Sequence, residues 1–312
     1  MTVTWRGVLP AITTPFQADC SVDHAQLAAH VRWLIEAGCR GIVALGSLGE
    51  GATLAAEEKI EILQTCRRAL EERAPVISGI AALSTAEAVR LARKSAETGC
   101  AGLMVLPPYV YAGDWRELKA HVLAVMRSTD LPCMLYNNPV AYGADFLPEQ
   151  IAELARECEN LRAVKESSGD VRRITAIRGL LQDRLEILVG MDDAVLEGAA
   201  AGARGWVAGL ANALPRISVR LWEMACGGKV ENAAEIYRWF LPLLRLDTKP
   251  KFVQYIKLVQ EMTATGSARV RSPRLELAGE ELAAIRQLIQ QALENMPENF
   301  RPDMHPTWAK AV

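Results

Sequence analysis

NLRAVKESSGD, residues 160–170, raises the question on which the fold turns. Leu161, Ala163 and Val164 read as a buried strand, yet the run passes straight into Lys165 and breaks at once into Glu166, Ser167, Ser168 and Gly169. Side chains alternate along a strand, so Lys165 shares a face with Ala163 and Leu161, and the small Ala163 leaves space beneath it. A strand that is apolar throughout and polar only at its C-terminal end is the kind found in parallel sheets covered on both faces.

Working outward, seven similar runs recur: GVLPAIT (7–13), GIVAL (41–45), PVISGI (75–80), GLMVL (102–106), PCMLY (132–136), EILVG (186–190) and GWVAG (205–209). Helical patterns fill the gaps. In TLAAEEKIEILQTCRRALEER (53–73), Ile60, Leu63 and Leu70 recur at helical spacing. STAEAVRLARKSAETG (84–99) opens on Ser84 as a candidate N-cap, has Glu87 three residues on, and closes on Gly99. Eight strand–helix units predict an α/β fold, a (β/α)8 TIM barrel, with a C-terminal helical extension. The division falls at 1–226 for the barrel and 227–312 for the helical region. An open doubly wound sheet is the alternative, but no G-x-G-x-x-G follows the first strand and no G-x-x-x-x-G-K-[ST] occurs anywhere.

The formal net charge of −2 gives no basic excess for nucleic acid. Seven cysteines without a C-x-x-C pair argue against a disulfide framework or zinc knuckle and for buried thiols in a reducing, cytoplasmic setting. The N-terminus lacks the charged-then-apolar pattern of a signal segment. EGAAAGARGWVAGLANAL (197–214) is the best imitation of a membrane span, but Glu197 and Arg204 interrupt it, and it reads as a helix end followed by a strand. His24, His30, His121 and His305 are scattered, so no metal site and no cofactor are expected.

Barrel chemistry gathers where strands end. The ends here are GSLGEG (46–51), PPYVY (107–111), Tyr136 followed by NNP, Lys165, and GMDD (190–193). A lysine inside a barrel is driven toward its neutral amine, which attacks carbonyls and forms Schiff bases. The competing reading is a lysine that reaches past the strand end to solvent. Tyr136 stands at the same height on the adjacent strand, where a hydroxyl relay would serve carbinolamine dehydration. The N–H groups of GSLGEG suit a carboxylate, with the Ser47 hydroxyl beside them. Asp170 and one of Asp192 and Asp193 read as helix caps.

GSLGE, YNNP, the lysine of VKESSGD, and GMDD, in this order on strands 2, 5, 6 and 7, resemble the dihydrodipicolinate synthase and N-acetylneuraminate lyase superfamily, as do GVLPAITTPF and GWVAGLANALP. The resemblance runs from about residue 6 to 295. It implies a homotetramer, a dimer of dimers, that forms a Schiff base between Lys165 and a 2-oxo acid. It makes Tyr136 the proton relay, hydrogen-bonded by Ser47, and assigns the Ser47 and Leu48 amides to the substrate carboxylate. Tyr109, Tyr142, Asp192, Val207 and Ala208 are candidate lining residues, and Tyr111 is a candidate contributor to a neighbouring subunit. Three departures stand out. Leu48 replaces a threonine, Val110 replaces a tyrosine, and Ala141 stands where synthases carry an arginine that grips a second carboxylate. The run of VALGSLGEGATL, LPPYVY and YNNP is most similar to 1-pyrroline-4-hydroxy-2-carboxylate deaminases, which give 2,5-dioxopentanoate and ammonia in hydroxyproline breakdown. A 2-keto-3-deoxy sugar acid aldolase or dehydratase is the alternative enzyme. A dihydrodipicolinate synthase ranks below both, and a small-molecule-binding regulator is the reading from outside enzymology.

Overall fold

The computed structural model describes residues 3–300 apart from Val110, Ala112, Lys229 and Asn299. Eight strands follow in order: β1 (Gly7–Pro10), β2 (Ile42–Ala44), β3 (Val76–Ile80), β4 (Gly102–Val105), β5 (Cys133–Asn137), β6 (Leu161–Glu166), β7 (Glu186–Val189) and β8 (Gly205–Ala208). They pair in parallel in the order β1-β8-β7-β6-β5-β4-β3-β2. The Ala11–Val43 bridge links the two ends, and the Ile12 amide donates to the Val43 carbonyl at 2.9 Å beside it. This is the (β/α)8 barrel expected, and each apolar run supplies one strand. Strand residues are almost all buried, because neighbouring side chains fill the barrel within and helices cover it without.

β5 and β6 run one residue farther than their apolar runs. Asn137 and Glu166 are register partners, and Asn137 Nδ2 donates to Glu166 Oε2 at 3.0 Å. Glu166 Oε1 also accepts from the Ser168 amide at 2.6 Å. A polar pair thus continues the ladder where hydrophobicity stops, and it fixes the height of the residues just before it.

The helix Thr85–Glu97 begins as its sequence indicates, with Ser84 accepting from the Glu87 amide. Residues 197–214 form a helix end, β8 and a 3-10 turn at Leu210–Asn212. Among the described residues no helix is long and apolar enough to cross a membrane. The C-terminal helices Val230–Leu244, Phe252–Met262 and Gly279–Glu294 follow the helix Pro215–Cys226. The middle one packs on the C-terminal rim of the barrel. Its Lys257 Nζ donates to Glu50 Oε1 at 2.5 Å, and its Gln260 Oε1 accepts from Thr13 Oγ1 at 2.8 Å. The first and second helices are joined by a 3-10 turn at Arg245–Thr248, which this packing holds over the barrel mouth.

Candidate active site

Tyr136 and Lys165 are register partners on β5 and β6. Lys165 Nζ lies 4.1 Å from the centroid of the Tyr136 ring. At 6 % exposure Lys165 does not reach solvent, so the snorkelling alternative fails. Burial pulls its pKa below the usual lysine value, while the charges of Asp247, Tyr142 and Asp192 pull the other way. Gly190 makes room for the side chain: a Cβ there would sit 2.8 Å from Lys165 Cε and 1.9 Å from Ser167 Oγ. Burial pushes the Tyr136 phenol up to about 12 despite its hydrogen bond with Asn138. Tyr136 is therefore a protonated hydroxyl near neutral pH, with its ring packed against the Lys165 amine.

The expected Ser47–Tyr136 hydrogen bond is not made. Ser47 Oγ pairs with the Tyr142 hydroxyl, and the Tyr136 hydroxyl accepts from Asn138 Nδ2 at 3.0 Å. The cause is the short helix Pro139–Tyr142. Asn138 caps it by accepting from the Ala141 amide, Pro139 starts it, and Gly143 ends it at φ 66°. This turn inserts Tyr142 edge-on to Tyr136, with centroids 5.7 Å apart and planes at 82°, so the hydroxyl opposite Ser47 belongs to Tyr142. Tyr109 lies on the far side of Tyr142 at 6.0 Å between centroids.

The loop of residues 46–51 is held by close backbone approach. A Cβ on Gly49 would lie 2.9 Å from the Ile12 carbonyl oxygen, and one on Gly51 would lie 2.3 Å from that of Leu45. Glu50 takes a left-handed conformation, φ 55°. Its buried carboxylate pairs with Lys257 and accepts from the Arg271 amide at 3.0 Å. With the loop so fixed, the Ser47 and Leu48 amides donate to no protein acceptor among the described residues. They remain available to an anion, as the sequence indicates.

Two connected spaces open above the strands. An inner cavity of about 40 Å³ is lined by Lys165, Leu48 and Val207. An outer cavity of about 530 Å³ is lined by Tyr109, Ala141 and Tyr142. Ser47, Tyr136 and Asn138 line both. Seven of the predicted site residues therefore gather at one place.

Asp192 does not line either cavity. It turns away from them to β8 and the residues that follow, where its oxygens accept from Trp206 Nε1 at 2.9 Å, the Gly209 amide at 3.0 Å and the Leu210 amide at 2.7 Å. It orders the turn after β8 instead, and burial raises its pKa to about 6 against those hydrogen bonds. Met191 faces the outer cavity in its place. Ala208 is buried away from both spaces. Tyr111 is exposed and also off the walls, and Val110 lies outside the described residues.

One residue of the site has no precedent in the sequence reading. Asp247, from the turn Arg245–Thr248, lines both cavities. In RLDTKP it looks like an aspartate between two helices, and only the docking of the C-terminal region carries it to the barrel mouth. Among the described residues no three His, Cys, Asp or Glu side chains converge to hold a metal ion.

The sequence model of the Dihydrodipicolinate synthetase family matches residues 4–292. The chain is 34 % identical over 292 residues to the 4-hydroxy-tetrahydrodipicolinate synthase of Methanothrix thermoacetophila, covering 91 % of this chain and 96 % of that one. Among solved structures, a dihydrodipicolinate synthase from Bacillus anthracis superposes with a TM-score of 0.89 at 26 % identity, covering 96 % of this chain and 100 % of that one. A prophage protein of the dihydrodipicolinic acid synthase family from E. coli K12, solved in complex with pyruvate, gives a TM-score of 0.87 at 27 % identity, covering 93 % and 99 %. The match extends over nearly the whole chain, which belongs to the dihydrodipicolinate synthetase family and is a lyase of the Schiff-base-forming class.

Proposed function

We propose that Lys165 is the Schiff-base lysine, that Tyr136 is its proton relay, and that the substrate is a short 2-oxo acid or cyclic imine with one carboxylate, namely 1-pyrroline-4-hydroxy-2-carboxylate. The observation that carries this reading is the wall of the outer cavity. Val140, Ala141 and Tyr142 form it where synthases, by the resemblance, present an arginine. An apolar wall cannot replace a planar, bidentate carboxylate clamp. The Ser47 and Leu48 amides serve the one carboxylate that remains.

The chemistry follows from the neighbours of Lys165. The neutral amine attacks C2 of the imine, and the ring nitrogen leaves C2 as the amine on C5, giving the lysine iminium. Loss of a C3 proton forms the enamine, and Tyr136, whose ring packs against Lys165 Nζ, is the hydroxyl assigned to carry protons on and off these atoms. The enamine pair forms the C3–C4 double bond as the C4 hydroxyl departs as water. Proton shifts carry the new double bond to C5 as an imine. Water then hydrolyses the C5 imine to aldehyde and ammonia, and the C2 iminium to the ketone, freeing Lys165. The sum is substrate plus one water giving 2,5-dioxopentanoate and ammonia. A cytoplasmic homotetramer completes the proposal, with native mass spectrometry as the test of subunit number.

The relatives favour a second reading, 4-hydroxy-tetrahydrodipicolinate synthase, which is their own name. Arg274 and Lys249 on the outer cavity are the cations that could meet a second carboxylate, although Arg274 faces Glu50 at 3.9 Å. The test is ammonia release from 1-pyrroline-4-hydroxy-2-carboxylate, in parallel with turnover of the synthase's two substrates. Ammonia release with a five-carbon adduct trapped on Lys165 by borohydride supports the deaminase. Turnover of the synthase substrates alone rejects it. Cleavage of a 2-keto-3-deoxy sugar acid alone would make the enzyme an aldolase.

A further inference from the structure

We propose that Asp247 is a second proton-transferring residue of this active site, placed by the C-terminal region to protonate the hydroxyl that leaves from C4. The proposal rests on the Schiff-base reading of Lys165. Among the described residues Asp247 is the one carboxylate that lines either cavity, and it lines both. It thus stands at the junction between the space around Lys165 and the space that takes the rest of the substrate.

Its carboxylate is also unoccupied. Among the described residues it makes no hydrogen bond or ion pair, whereas Asp192 nearby uses its oxygens on three N–H donors. Lys165 and Asp247 face the same inner cavity without an ion pair between them, which leaves space there for substrate atoms. The fold makes room for this arrangement at Gly209, where a Cβ would sit 2.0 Å from Asp247 Oδ1. Desolvation and the charges of Asp192 and Asp193 hold the Asp247 carboxyl well above the usual range, with Lys165 opposing them. A protonated carboxyl in this position is a general acid.

The division of labour follows from position. Tyr136 is against Lys165 and serves the atoms nearest C2. Asp247 serves the atoms beyond C3. In the elimination the nitrogen lone pair forms the C2 iminium, the C2–C3 π pair moves to form the C3–C4 double bond, the C4–O bond breaks, and the Asp247 proton passes to the departing oxygen. Water leaves, the nitrogen on Lys165 becomes iminium, and Asp247 is left as carboxylate, to be reprotonated by the proton released when the C2 iminium is hydrolysed to the ketone and the neutral Lys165 amine.

Asp247→Asn keeps the shape and removes the proton. Gly209→Ala keeps the carboxylate and displaces it. Both full-length variants are compared with wild type in three measurements. These are the pyruvate adduct on Lys165 after borohydride, solvent deuterium entering the pyruvate methyl group, and turnover of 1-pyrroline-4-hydroxy-2-carboxylate and of a 2-keto-3-deoxy sugar acid. Adduct and deuterium exchange should persist within a few-fold, while expulsion of the hydroxyl falls by about 10²- to 10⁴-fold. Unchanged turnover in Asp247→Asn overturns the proposal. Loss of adduct and exchange along with turnover overturns it too, since the residue would then serve Lys165. A wild type that traps pyruvate but expels hydroxyl from neither substrate refutes the leaving-group role and leaves the Schiff base standing. A wild type with no adduct on Lys165 refutes the Schiff-base reading itself.

Discussion

Lys165 Nζ lies over the face of the Tyr136 ring, 4.1 Å from its centroid, because the two residues are direct partners in the β5–β6 ladder. The ring shields the amine from water while its hydroxyl, held by Asn138, stays within the inner cavity. Replacing Lys165 by Met tests both halves of this relationship. Turnover should fall on the order of a million-fold, as when other covalent nucleophiles are removed, and no borohydride-trapped adduct should form. The Tm should be equal or higher. Burial lowers this lysine's pKa, so below that folded-state pKa its charge opposes folding, and the penalty fades as pH rises from the folded-state pKa to the unfolded value, above which it is gone. A Met variant that stays active ends the Schiff-base mechanism.

The same lowered pKa predicts a pH profile. Only the neutral amine attacks, so the rate of pyruvate adduct formation, trapped with cyanoborohydride, should climb about tenfold per pH unit and then level. The plateau should begin below the 10.5 of an ordinary lysine, because desolvation outweighs the attraction of Asp247 and Asp192. Tyr136, pushed up to about 12, should add no loss before strongly alkaline pH. A plateau reached only at 10.5 or above would show a solvated, unperturbed amine.

Ser47 and Tyr142 should behave as one unit. Each hydroxyl is the other's hydrogen-bond partner at the seam of the two cavities. Ser47→Ala, Tyr142→Phe and the double variant should therefore be non-additive in kcat/KM, with a coupling of about 1 kcal/mol. Full additivity would mean that the contact is not used. Ser47 coupled instead to Tyr136→Phe would restore the pairing implied by the family resemblance.

Much of this is legible in the sequence alone. Parallel strands buried on both faces leave continuous apolar runs, so all eight could be read directly, and a lysine and a tyrosine ending adjacent runs could be placed at one height. What stayed hidden depends on chain reversals that carry no hydrophobic period. The Asn138–Gly143 turn decides which tyrosine meets Ser47. The turning of Asp192 away from the cavities is set by the amides after β8. Asp247 reaches the site only because the helix Phe252–Met262 docks on the rim, which no local pattern in RLDTKP announces.

That docking has its own test. Glu50 and Lys257 are a buried ion pair, 0 % and 2 % exposed at their side chains, joining the loop after β2 to the C-terminal region. Replacing Lys257 by Met strands a buried carboxylate and should lower stability by about 3–5 kcal/mol. Adding Glu50→Gln should recover much of that loss, since no unpaired charge remains. Thermal unfolding of the three variants measures this, and a single variant as stable as wild type would show that the pair is not needed to hold the rim.

Gly190 offers the sharpest separation of fold from chemistry. It opens GMDD, and its missing side chain is the space in which the stem of Lys165 and the hydroxyl of Ser167 sit. In Gly190→Ala the added methyl would meet Lys165 Cγ and Cε, each 2.8 Å away, and Ser167 Oγ at 1.9 Å, so those side chains must shift. A displacement near 1 Å at the reacting amine is worth about 100-fold in rate. The variant should therefore keep a cooperative unfolding transition while losing adduct formation and turnover to that extent. A Gly190→Ala enzyme with wild-type kcat/KM would mean that the lysine reaches its substrate from some other position than the one it holds against Tyr136.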